Sequence, residues 1–235
     1  MNIIITGSSR GIGYQIAKIL SRDDQNRVIA ISRNKPKLKQ LQVECLNANK
    51  NSKVIPVSFD LAEKDFDPLK EEVVKYFDHV DVLINNAGIM LKKPFESSTE
   101  EEIDTLLNIN LLSPVRLIKI FLPLLRRAKE GHVVNISSMA GFQGATKFPG
   151  LSFYSVSKAA LSSLTECLAA EYASSSVHFN ALCLGAVQTE MFESAFPNVQ
   201  APVTPGEMAE FIADFALKGN KVMNGKVVPV NLSNP

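Results

Sequence analysis

At 235 residues, 46% apolar and 21% charged, the chain has enough apolar material to fill one α/β core and too much to remain disordered. Its formal net charge of +1 excludes the strong positive field that nucleic acid or an anionic membrane would require, so neither is expected as a partner.

The chain begins with an apolar run, Asn2-Ile3-Ile4-Ile5, that empties into Thr6-Gly7-Ser8-Ser9-Arg10-Gly11-Ile12-Gly13. Ile12, Ile16, Ala17, Ile19 and Leu20 then recur at helical spacing. A strand, a glycine-rich turn and a helix, in that order, aim free backbone N–H groups and the positive end of the helix dipole at an anion. Glycine is needed because a side chain would hold a pyrophosphate away from the backbone. The spacing G-x-x-x-G-x-G matches the generic dinucleotide fingerprint G-x-G-x-x-G only in part.

Further apolar, β-branched runs predict strands over 27–32, 53–59, 81–85, 132–137, 177–184 and 226–230, about seven with the first. Their near-continuous hydrophobicity suits a parallel sheet buried on both faces. Helical patterns cover 36–47, 65–77, 100–127, 154–172 and 205–217. This alternation predicts right-handed βαβ units and an α/β, doubly wound sheet with helices on both faces, in one domain over 1–235. Segments 140–151 and 188–204, rich in Gly, Pro and small residues, follow strand ends, where such sheets bind ligands.

No apolar stretch approaches membrane-spanning length, and a strand beginning at residue 2 leaves no place for a signal peptide. Cys45, Cys167 and Cys183 are far apart and lack metal-ligand spacing, which predicts buried thiols in a reducing, cytoplasmic compartment. His79, His132 and His178 are equally dispersed and read as structural; no metal is expected.

Three strand ends or helix starts carry further polar groups. Asn85-Asn86-Ala87-Gly88 ends the fourth strand and by itself reads as a turn. Asn135-Ile136-Ser137-Ser138-Met139-Ala140-Gly141 ends the fifth and offers hydroxyls at the sheet edge. Tyr154 and Lys158, at i and i+4, share one helix face. An ammonium there is expected to lower the tyrosine pKa from its reference near ~10 and make it a general acid/base.

Taken in order, Thr6-Gly-x-x-x-Gly-x-Gly13, Asn85-Asn-Ala-Gly88, Asn110, Ser138 and Tyr154-x-x-x-Lys158 resemble the short-chain dehydrogenases/reductases, in their short single-domain branch, over essentially the whole chain. The resemblance implies a Rossmann fold and an oxidoreductase that moves a hydride between a nicotinamide cofactor and a small-molecule carbonyl or alcohol. It makes Tyr154 the acid/base at the carbonyl oxygen. Lys158 would lower its pKa and bind the nicotinamide ribose. Ser138 would hold the developing alkoxide, with Ser137 as the rival serine. Asn110 would hold a water in the proton relay; Pro114, four residues on, has no N–H to bond its carbonyl.

At the cofactor the resemblance places Gly7, Ser9, Arg10, Gly11, Ile12 and Gly13 of the turn, with Asp60 and Leu61 after the third strand. Asn86, Ala87 and Gly88 follow on the adenosine side, with Tyr154 and Lys158 at the ribose and Val187 and Thr189 at the carboxamide. An acid ending the second strand would select NAD. This chain has Ser32-Arg33 instead, and a guanidinium suits a 2′-phosphate. With Arg10, that favours NADP(H) over NAD(H).

The chain departs from the family in places. Leu184-Gly185 replaces a common Pro-Gly, which predicts a looser 188–204 lid. The longer segment before Tyr154 holds Phe142, Lys147, Phe148 and Phe153, which either shape the substrate pocket or pack on a neighbour. Met and Phe in the loops 90–95, 141–153 and 191–201 suggest an apolar substrate. The tail lacks the family's Asp-Gly-Gly, while the helices over 100–127 and 154–172 still point to a homodimer or homotetramer. The rival readings are a catalytically silent NADP-binding regulator or scaffold, and an extended-branch epimerase or dehydratase. The four catalytic positions argue against the first, and the want of room for a second substrate domain against the other.

Overall fold

All seven apolar runs are strands in the computed structural model, which describes residues 1–232. The tail's departure from Asp-Gly-Gly falls partly on Ser233, Asn234 and Pro235, which lie outside the described residues. The strands are β1 (Asn2–Thr6), β2 (Arg27–Ser32), β3 (Lys53–Ser58), β4 (Val82–Asn85), β5 (Gly131–Ser138), β6 (Val177–Leu184) and β7 (Lys226–Val230). They form one parallel sheet in the order β3-β2-β1-β4-β5-β6-β7, so the direction of strand addition reverses between β1 and β4. That reversal opens the crevice where doubly wound sheets bind ligands.

The want of polar alternation follows from burial on two faces. Ile3, Ile5, Val28 and Ala30 pack against α1 (Gly11–Leu20), α2 (Lys35–Ala48) and α8 (Pro205–Lys218). Ile4, Ile29 and Ile31, from alternate positions of the same strands, pack with α3 (Asp67–Val74) and α5 (Ser113–Leu125). α4 (Glu100–Leu107), α6 (Ser152–Glu171) and α7 (Glu190–Ala195) complete the set. Thr99 and Thr204 start α4 and α8 with capping boxes that satisfy otherwise orphaned N–H groups.

Several expectations need correction. The pattern over 100–127 is not one α-helix: Asn108–Leu112 widens into a π turn, closed by the Ser113 N–H on the Asn108 carbonyl. Pro114 is the cause, since it cannot donate to Asn110. Glu100–Leu125 is nonetheless continuous, and an 18-residue window of it reaches mean hydropathy 1.4. By length and composition it could cross a membrane, contrary to the expectation that no apolar stretch approaches that length. Here Leu117, Phe121 and Leu125 are buried in the core against the sheet. Helix 65–77 contracts to α3, and the 188–204 segment contains α7. Cys45 and Cys183 are buried as expected, but Cys167 is exposed on α6.

His132 is structural and carries a pH dependence. It lies on β5, fully buried; its Nδ1 is 2.9 Å from the Ala216 carbonyl of α8, and its Nε2 is 3.0 Å from Asn180 Nδ2. An amide nitrogen only donates, so Nε2 accepts and Nδ1–H donates, which requires the neutral ring. Burial pushes its pKa down from 6.5 to about 4. Between those values the unfolded chain binds the extra proton, so this stabilisation is complete above pH 6.5 and is lost as pH falls toward 4. The loss can reach about 3 kcal/mol. Urea melts at pH 7.5 and 5 should show a steeper fall for wild type than for His132→Asn; parallel falls would show that His132 is not the titrating group.

Candidate active site

The glycine turn leaves β1 with Gly7 at φ +71° and Gly11 at φ +58°, conformations that L side chains rarely adopt. Gly13 serves packing: a Cβ there would lie 2.4 Å from Asn86 Nδ2 and 2.6 Å from the Gly7 carbonyl. Thr6 braces the tips of β1 and β4. Its Oγ1 accepts from the N–H groups of Asn86 (3.1 Å) and Ala87 (3.0 Å), while Asn86 Nδ2 donates to the Thr6 carbonyl at 2.9 Å. The two strand tips that flank the crevice are thus tied side by side.

A cleft of about 290 Å³ runs over these tips. Gly7, Ser9, Arg10, Gly11, Ile12, Ser32, Arg33, Asp60, Leu61, Asn86, Ala87 and Gly88 line it with Ser138, Tyr154, Lys158, Val187 and Thr189. Of the residues assigned from sequence to catalysis or the cofactor, Gly13 and Asn110 do not. Both expected phosphate-reading arginines face carboxylates: Arg33 lies 3.6 Å from Asp60, and Arg10 pairs with Glu190. All four groups are more than a third exposed, so these pairs are weak and exchangeable.

At the far end, Tyr154 and Lys158 are both buried on the sheet side of α6. The ammonium stands over the Tyr154 ring rather than bonded to its phenol. Lys158 Nζ donates to the Ile136 carbonyl at 2.8 Å and sits 6.0 Å from the Tyr154 ring centre. Burial raises the Tyr154 pKa, and a hydrogen bond with Ser138 offsets part of that rise. Burial lowers Lys158 to about 8. Desolvation of the phenolate sets the direction and Ser138 alone opposes it, so the lowering expected from charge proximity is not seen.

The two serines divide. Ser137 Oγ is 2.8 Å from the Lys158 carbonyl and 2.9 Å from Ser162 Oγ, which binds β5 to α6. Ser138 Oγ accepts from the Ala140 N–H at 3.1 Å and keeps its own proton to donate toward Tyr154. Asn110 is fully buried: its Oδ1 accepts from the Ile89 N–H at 2.8 Å, and its Nδ2 donates to the Ile89 carbonyl and to Ser157 Oγ. Its side chain thus ties the loop after β4 to α6, beside Tyr154.

Ile89, Met90, Ile109, Glu190, Met191 and Phe192 also line the cleft and were not singled out from sequence as site residues. Met90, Met191 and Phe192 fall in or beside the loops flagged for apolar content. Glu190 gave no signal, because its partner is 180 residues away. Phe142, Lys147, Phe148 and Phe153 stay outside the lining. Phe148 packs edge-on against Phe196, which stacks on Phe192, and Phe153 stacks on Phe95. Lys92 adds a cation–π contact 3.9 Å from the Phe196 ring centre. An aromatic roof thereby joins three loops at the Phe192 edge of the cleft. Among the described residues, no cluster of His, Cys, Asp or Glu could hold a metal.

The short chain dehydrogenase family model matches residues 1–200. An uncharacterized oxidoreductase of Staphylococcus epidermidis is 31% identical over 191 residues, 81% of this chain and 79% of the relative. The ketoacyl reductase HetN of a Nostoc species is 32% identical over 231 residues, 96% of this chain and 77% of the relative. Among solved structures, levodione reductase superposes with TM-score 0.86 at 25% identity, covering 98% of this chain and 95% of that one. A Beutenbergia cavernae protein assigned as an NAD(P)-dependent gluconate 5-dehydrogenase, with NADP bound at low occupancy, gives TM-score 0.85 at 28% identity, covering 98% and 94%.

Proposed function

Because the chain belongs to the short-chain dehydrogenase family, we propose that it is an NADP(H)-dependent oxidoreductase interconverting a small apolar carbonyl compound and its alcohol. The observation that carries this reading is one continuous cleft, with the glycine turn and Arg33 at one end and Ser138, Tyr154 and Lys158 at the other. The cleft suits a dinucleotide: positive-φ glycines open the turn to a pyrophosphate, and Ser32 with Arg33 replaces an acid at the tip of β2. Gly7, Ser9, Gly11 and Ile12 would hold the pyrophosphate, Arg10 with Ser32 and Arg33 the 2′-phosphate, Asp60, Leu61, Asn86, Ala87 and Gly88 the adenosine, and Val187 and Thr189 the carboxamide. When bound, the cofactor supplies or accepts the hydride.

Tyr154 gives its phenolic proton to the carbonyl oxygen during reduction and takes it back during oxidation. Its raised pKa keeps it protonated at neutral pH, as an acid should be. Ser138 donates to the same oxygen and stabilises its growing negative charge. Lys158, positioned by Ile136, supplies positive charge to the phenolate that remains. The Asn110 carbonyl, which Pro114 cannot bond, accepts from a water that returns the proton. Phe192, backed by Phe196 and Phe148, lines the cleft with Met90 and Met191 and favours an apolar body on the substrate. We further propose a cytoplasmic homodimer or homotetramer, formed through the continuous Glu100–Leu125 helix and α6, where Leu112 and Val156 are exposed.

A panel of carbonyl compounds run with NADPH and with NADH tests this reading, NADPH-dependent turnover being the expected result. Arg33→Ala should weaken NADPH binding by about 10- to 100-fold, the worth of charge-assisted hydrogen bonds, and barely change NADH. Equal losses for the two would show that Arg33 does not read the 2′-phosphate.

A further inference from the structure

We propose that Glu190 sets the cofactor preference by competing for Arg10. This deepens the NADP(H) reading above and rests on it. Arg10 stands at the N-cap of α1 and Glu190 in the first turn of α7, and the two side chains pair across the rim of the cleft that both line. The contact is fixed from both sides. Thr189 caps α7 by accepting the Phe192 N–H at 3.2 Å, and a Cβ placed on Gly11 would meet the Thr189 methyl at 3.7 Å. The lid therefore begins in contact with the glycine turn, and its first carboxylate falls on that turn's guanidinium.

Arg10 Nη1, which holds Glu190, is not free for a 2′-phosphate while the pair lasts, and the carboxylate offsets guanidinium charge on which that phosphate would draw. Full engagement of NADPH by Arg10 therefore works against the Arg10–Glu190 pair, whereas NADH leaves it in place. Glu190 thus holds the preference for NADPH below what Arg10 and Arg33 alone would give. Both side chains are about two-thirds exposed, so the pair has the modest worth of a surface ion pair.

The test is a double-mutant cycle of Arg10→Ala and Glu190→Gln, read as the Kd of NADPH and of NADH by cofactor fluorescence. Thermal melts confirm folding; both positions are at the surface. In wild-type background, E190Q should raise the ratio Kd(NADH)/Kd(NADPH) about two- to five-fold. In the R10A background it should leave the ratio unchanged. Equal tightening of both cofactors, or an E190Q effect that persists without Arg10, would mean diffuse charge repulsion and overturn the proposal. An unchanged ratio in a wild type that binds NADPH overturns the competition alone. Failure of wild type to bind either cofactor overturns the function beneath it as well.

Discussion

Tyr154→Phe should lower kcat for carbonyl reduction by about 10²- to 10⁴-fold, the range that positioned proton transfer supplies, with little change in the Kd of NADPH. The ring keeps its place: Tyr154 is 7% exposed, and its phenol is bonded to Ser138 rather than to anything that anchors α6. What is lost is one proton donor. The wild-type pH profile follows from the same geometry. Burial holds the phenol protonated well into the alkaline range, so reduction is not limited by Tyr154 at neutral pH. Lys158 loses its charge above about pH 8, and with it the support for the phenolate left after proton donation. Accordingly, kcat/KM for reduction should be level through neutral pH and fall above about 8, since that parameter reports the free enzyme. Turnover by Tyr154→Phe equal to wild type would remove Tyr154 from the chemistry. No turnover by either protein, with NADPH still bound, would favour the catalytically silent nucleotide-binding reading.

The parts of this molecule that sequence makes legible are those where period or local chemistry dictates structure. The five inner strands stand out because burial on both faces suppresses polar alternation, and the edge strands β3 and β7 by their β-branched runs. Tyr154 and Lys158 must share a helix face because four residues make about one turn. Orientation within a face is another matter. Nothing in Tyr-x-x-x-Lys shows that Lys158 reaches back to the Ile136 carbonyl, so charge proximity suggested a lowered tyrosine pKa where burial raises it. Pro114 did signal an unbonded carbonyl at Asn110, but not the π turn that accommodates it. Six residues are too few for α7 to show a period. The Arg10–Glu190 pair and the aromatic roof arise from loops that meet only once the sheet has assembled.

Gly141→Ala should cost on the order of 10²-fold in kcat, although Gly141 lies outside the cleft lining. It ends the short 3₁₀ turn Met139–Gly141, directly after Ser138, and its backbone presses on α6. A Cβ there would stand 2.5 Å from the Ala159 nitrogen, 2.7 Å from the Lys158 carbonyl carbon and 2.8 Å from Lys158 Cβ. Two of these are main-chain atoms and the third is the root of a buried side chain, so no rotamer change relieves the contact. Restoring ordinary separation of 3.4 Å from 2.5 Å requires a shift of 3.4 − 2.5 = 0.9 Å between the Met139–Gly141 turn at the end of β5 and α6. Ser138 sits on one side of that gap, and Tyr154 and Lys158 on the other. Overpacking should also cost about 1–3 kcal/mol of stability. Gly144→Ala separates the two effects. Gly144 has φ +81° and nothing within 4 Å of its Cβ position, so alanine there meets backbone strain of about 1–2 kcal/mol but displaces nothing. If Gly144→Ala lowers Tm with kcat intact while Gly141→Ala lowers both, close approach of β5 and α6 sets the distance between the serine and the tyrosine. Full kcat in Gly141→Ala would show that the turn yields without moving either group.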